Sequence, residues 1–147
     1  MPLLSPPRPL GVGSPLVWRD LLAVVVGGLV GTALRLGIDT LLAHSDSSIP
    51  LSTLLINTAG AFVLALLVGR LWSTAPTWLR AGLGAGLLGS LTTFSALAVS
   101  LVSLTSAGEW MLAASYLAAT LLLGFGAAAL GLRMGARRVT PIDLVDE

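Results

Sequence analysis

A chain of 147 residues that is 55% hydrophobic and 10% charged, with a mean hydropathy of +0.94, has too few charges to cover a water-soluble surface. It contains no cysteine and one histidine, His44, which excludes disulfides, thiolate metal centres, cysteine nucleophiles and multi-histidine metal sites. The composition is that of an all-α integral membrane protein. The net charge of +1 says nothing about partners, but the placement of the charges does.

The first fifteen residues hold five prolines, Pro2, Pro6, Pro7, Pro9 and Pro15, and lack an apolar run ending in a small-residue cleavage site. They read as a disordered tail, residues 1–15, followed by a retained first span. Four windows then meet the ~20-residue length needed to cross a bilayer: Leu21 to Ala43, Leu51 to Trp72, Trp78 to Leu104 and Trp110 to Leu132. Together they form one four-span membrane domain, residues 16–136. A second tail, residues 137–147, carries Pro141 and three acids. The connectors are too short to build a catalytic site, and no triad, metal cluster or phosphate loop is present, so the chain does not read as an enzyme.

In the first span Gly27 and Gly31 stand at i,i+4 with Gly28 beside them, a spacing that lets membrane helices approach backbone to backbone. Arg35 lies inside the span, at a cost of roughly 2.5–3.5 kcal/mol near the centre. Asp39 shares its face, so Arg35 can be a structural ion pair or part of an anion vestibule. The second span has one strongly polar residue, Asn57. Its carboxamide can serve as interhelical glue, or offer donors to an anion without the desolvation cost of a buried charge.

The third span is unusual, because Gly82, Gly84, Gly86 and Gly89 precede Ser90, Thr92, Thr93 and Ser95. Glycine weakens a helix by up to ~1 kcal/mol relative to alanine, and Ser and Thr compete for its backbone hydrogen bonds. The pattern predicts a third helix broken at its centre. In a membrane, backbone freed in this way must be buried in protein, line an aqueous cavity or coordinate an ion. In the fourth span Tyr116 and Thr120 share a face and can extend a line of hydroxyls.

The stretches GGLVGTALR, LLINTAGAF and GLLGSLTTFSAL, in this order on a four-span chain, resemble the Fluc-type fluoride channels of the CrcB family, over all four spans. The resemblance implies an antiparallel, dual-topology dimer with two fluoride pores that exports fluoride across the cell membrane and relieves its toxicity. It also implies a structural sodium ion bound by backbone carbonyls of the third-helix breaks, here those of Gly89 and Thr92. Asn57 would be the pore asparagine and Phe94 the first pore phenylalanine. Ser95, Tyr116 and Thr120 would fall on a polar track, and Arg35 would be the motif arginine of the first helix.

The chain departs from that pattern after Phe94, where the second family phenylalanine is replaced by Leu97, which has no ring edge to offer an anion. Its arginines are also one-sided. There is no lysine, and Arg8, Arg19, Arg70, Arg80, Arg133, Arg137 and Arg138 all fall on one side of a four-span topology. The positive-inside rule then predicts one orientation, with both termini cytoplasmic. A dual-topology subunit should carry no such bias, so a homologous partner of opposite bias is favoured over a second copy. Two rival classes remain: a small multidrug-type transporter, which needs an embedded glutamate that span one lacks, and a non-transporting assembly subunit, which leaves Asn57 and the hydroxyl cluster unused.

Overall fold

The structure, a computed structural model, describes residues 18–42 and 50–136. The two expected tails lie outside the described residues, as do His44, Arg8, Arg137 and Arg138. Among the described residues four helices are long and apolar enough to span a membrane: α1 (Trp18–Leu41), α2 (Leu51–Leu71), α3 (Thr77–Ser106) and α4 (Trp110–Gly135). These match the four windows read from the sequence to within a few residues at each end. The protein is a multi-pass membrane protein.

α3 is not one helix. It opens with an α-helical turn, Thr77–Arg80, widens into a π-helix over Ala81–Leu88, and closes its first half with Gly89–Leu91. Thr92 (φ −80°, ψ 155°) and Thr93 (φ −151°, ψ 129°) are then extended, and the second half starts afresh at Phe94–Ser106. The break therefore falls inside the hydroxyl cluster, and the glycine-rich stretch before it is helical but wider and less tightly wound than an α-helix. π turns are rare and concentrate at functional sites.

The break allows α3 to change neighbours. Its first half packs along α1 and its second half along α4, while α2 pairs with α4 along most of its length. Both long contacts rely on glycine. A side chain at Gly86 would lie 2.7 Å from the Val24 carbonyl oxygen, and side chains at Gly27 and Gly31 would run into the backbone of Gly82 and Leu87. On the other side Gly135 approaches the Leu66 carbonyl, and a side chain at Gly69 would stand 2.9 Å from Gly135. Such approaches are how helices associate where lipid removes the hydrophobic drive.

A Schellman cap ends α3: Glu109 N donates to Leu104 O (2.9 Å) and Gly108 N to Thr105 O (3.1 Å), with Gly108 at φ 81°. The buried apolar core is small. It gathers Leu97, Leu104, Ala113 and Tyr116 where the second half of α3 meets α4, with Leu54 of α2 packed against it. Most large side chains of α1 point outward.

Candidate functional site at the helix break

The two residues of the break are clamped by α2. Asn57 Nδ2 donates to Thr93 O and Thr93 N donates to Asn57 Oδ1, each at 2.8 Å. One side chain thereby satisfies both backbone groups of an extended residue at membrane depth, where a bare N–H or C=O costs several kcal/mol. Thr93 in turn caps the second half of α3, its Oγ1 accepting from Ala96 N at 3.2 Å. The sequence reading left Asn57 open between glue and donor. The structure gives it a structural bond that uses only one of its two amide protons.

The same bonds redirect two amides. In an unbroken helix Thr93 N would donate to Gly89 O and Ala96 N to Thr92 O, four residues back. Here they bond Asn57 Oδ1 and Thr93 Oγ1 instead. The carbonyls of Gly89 and Thr92 lose these helical partners, and both residues line one groove.

That groove, of about 610 Å³, opens on the surface of the subunit between α2, α3 and α4. It brings together Asn57, Gly89, Thr92, Phe94 and Thr120, with Leu97 and Gly60 in its wall. Gly60 makes room for the break: a side chain there would collide with the Thr92 methyl. Phe94 is 80% exposed, so its ring extends away from its own subunit. The Thr92 and Thr120 hydroxyls donate to carbonyls of their own helices, Leu88 O and Tyr116 O, both at 2.8 Å.

Three of the residues singled out in the sequence lie elsewhere. Ser95 is exposed and its hydroxyl meets that of Thr93 at 2.9 Å, beside the groove. Arg35 pairs with Asp39 on its own helix, Nε to Oδ2 at 3.6 Å, and does not line the groove. Tyr116 is 1% exposed, inside the small core, with the 5% exposed Leu97 in both core and groove wall. Ser100 and Thr120 lie beside the tyrosine hydroxyl. Both give their protons to backbone carbonyls, however, and among the described residues no hydrogen bond closes on Tyr116 Oη. A buried hydroxyl left so costs about 1–3 kcal/mol, and Ser52 Oγ is buried in the same condition.

A broken membrane helix, a clamping asparagine, two released carbonyls and a groove with an exposed ring are the arrangement on which the comparisons with known proteins bear. The CrcB-like (camphor resistance) family model matches residues 22–132, all four spans. The chain belongs to the CrcB family. It is 42% identical over 122 residues to the fluoride-specific ion channel FluC 2 of Parasynechococcus marenigrum, covering 83% of this chain and 84% of that one. It is 36% identical over 109 residues to FluC 1 of Mycobacterium bovis, covering 73% and 83%. With FluC of Xanthomonas axonopodis pv. citri it shares 35% over 132 residues, 88% of this chain and 99% of that one. These CrcB relatives are ion channels by name, not enzymes.

Sequence reasoning did not find the π turn, nor the fact that Asn57 binds the break itself. The asparagine stood out as the one strongly polar group of its span, but its partner, 36 residues on, has no sequence signal beyond the hydroxyl cluster.

Proposed function

We propose that this protein is a fluoride channel that lets fluoride leave the cell and so relieves its toxicity. The carrying observation is the Asn57–Thr93 clamp opening onto a groove with Phe94 and Thr120, together with fluoride-channel relatives over most of the chain. Fluoride holds its water tightly, and a pore must replace that shell with donors. Amide protons, hydroxyls and the positive edge of an aromatic ring supply them without a fixed charge that would trap the ion. The second amide proton of Asn57 and the edge of Phe94 are the donors of this chain best suited to the role. Arg35, at the far end of α1 from Arg19, would raise the local anion concentration.

The groove is open on one side and Phe94 points out of the subunit, which supports a pathway completed by a second subunit. In the antiparallel arrangement implied by the family, the breaks of two subunits meet, and the carbonyls of Gly89 and Thr92 would hold a sodium ion. Unwound backbone carbonyls suit such a cation, and these two have lost their helical donors. The ion would fix the two breaks against each other.

The second subunit is best read as a homologue of opposite charge bias. Arg19, Arg70, Arg80 and Arg133 stand at one end of the bundle, at the start of α1 and α3 and the end of α2 and α4, which favours one orientation with both termini cytoplasmic. Fluoride efflux from vesicles holding this protein alone, and then with a neighbouring homologue, tests both readings. Fluoride-selective efflux only from the pair is the expected result. Full efflux from the chain alone would overturn the mixed dimer, and no efflux from either, with assembly intact, would overturn the channel.

A further inference from the structure

α1 and the first half of α3 leave a second, apolar groove on another face of the subunit. About 250 Å³ in volume, it runs between Val26 and Val30 of α1 and Leu83 and Leu87 of α3, with Trp78 at one end. At Ala23, Val26 and Trp78 it continues into a more open hollow of about 390 Å³ that ends at Trp18 and Arg19. Neither hollow shares a residue with the break or with the groove beside it.

Length and charge say what would lie there. From Trp18 to Val30 is twelve residues of α1, about 18 Å at 1.5 Å per residue. That is close to the ~15 Å hydrocarbon half-thickness of a bilayer plus a little of its interface. The groove thus spans one leaflet and stops at mid-membrane, whereas a helix of a second subunit would call for a face along the whole span. At its outer end Arg19 is exposed between two tryptophans, the residues that mark a membrane–water interface. Among the described residues it pairs with no carboxylate, and the neighbouring Asp20 accepts from Thr77 Oγ1 at 3.1 Å. Arg70, Arg80 and Arg133 stand at the same end of the bundle but line neither hollow, which leaves Arg19 as the groove's own cation for an acidic headgroup.

We propose that this groove is a binding site for an anionic phospholipid, with one acyl chain between α1 and α3 and the phosphate at Arg19. The site does not depend on which ion the protein passes. It is tested in phosphatidylcholine bilayers containing a minor fraction of acyl-brominated phosphatidylglycerol or, in parallel, acyl-brominated phosphatidylcholine, by quenching of tryptophan fluorescence. Trp18 and Trp78 report the groove, and the difference between variants removes the contribution of Trp72 and Trp110.

The full chain should be quenched by the anionic lipid at about fivefold lower mole fraction than by the neutral one, the factor expected for one arginine at the membrane surface. Arg19→Gln should abolish the preference and Arg19→Lys should keep it, which separates charge from damage to the fold. Val26→Phe, at an exposed position, fills the groove from its open side and should bring phosphatidylglycerol down to the level of phosphatidylcholine. Equal quenching by both lipids in the unaltered protein, or a preference that survives Arg19→Gln, overturns the proposal. So does weak quenching by both, the result expected if a second subunit covers this face.

Discussion

The two halves of α3 are held in opposite ways. The first lies against α1 in a contact made almost wholly of backbone, with Gly27, Gly31, Gly82 and Gly86 removing every side chain that would keep the helices apart. The second begins at a polar joint, where Asn57, Thr93 and Ser95 bond to one another beside open space. Close packing leaves nowhere for an ion to go. Polar bonding, by contrast, satisfies the broken backbone while leaving a groove beside it, so the chain uses dispersion where it needs a fixed wall and hydrogen bonds where it needs a passage.

Substitutions can separate the two halves. The largest effect is expected for Asn57→Leu, which strands the N–H and C=O of Thr93 at a cost of about 1–3 kcal/mol each. Thermal unfolding in detergent should show a large drop in midpoint, and fluoride efflux should vanish. Gly31→Leu attacks the other half, forcing a side chain into the Leu87 carbonyl. Overpacking of this kind costs about 1–3 kcal/mol, seen as loss of the folded species on size exclusion whatever the anion.

Thr93→Val removes the cap of the second half of α3 and should cost about 0.5–2 kcal/mol. Its unfolding midpoint should fall less than that of Asn57→Leu, because the Asn57 bonds go to the Thr93 backbone and survive. A drop as large as that of Asn57→Leu would mean that the cap, not the clamp, holds the break. Asp39→Asn is expected to matter least, since partly exposed ion pairs contribute about 0–1 kcal/mol. Stability should hardly change, while efflux at low salt should rise modestly as Arg35 loses its neutralising partner; an unchanged rate would leave Arg35 a structural residue only.

The spans, the break and the lone amide of span two were legible in the sequence because each is a departure from hydrocarbon: charge at the ends, glycines and hydroxyls in the middle of span three, one asparagine in span two; that this asparagine clamps the break was not. Which face of each helix turns inward was much less so. In water, apolar periodicity marks the buried face, but here nearly every face is apolar and only small residues point to contacts. Tyr116 and Thr120 illustrate the consequence. They sit one turn apart and read as one hydroxyl line, yet Thr120 borders the groove while Tyr116 is sealed in the core with Leu97. Leu97, which packs with Tyr116 in the core and also forms the groove wall, comes from another helix, and no spacing within α4 announces it. The π turn was hidden for a similar reason: glycines announce a weak helix but not its number of residues per turn, and the backbone that Gly86 packs against, at Val24 and Gly27, belongs to another helix.

The order of contacts along the chain bears on how the protein is made. Because α1 pairs with the first half of α3, and α2 with α4, spans that emerge one after the other are not each other's main neighbours. The first hairpin, α1 with α2, has little packing of its own, and only the second half of α3 packs on the span that follows it. α1 must wait in lipid until the glycines of α3 arrive, and Asn57 must wait for Thr93. Assembly is therefore interleaved, and a chain truncated after its second span would hold two inserted helices with little reason to stay together.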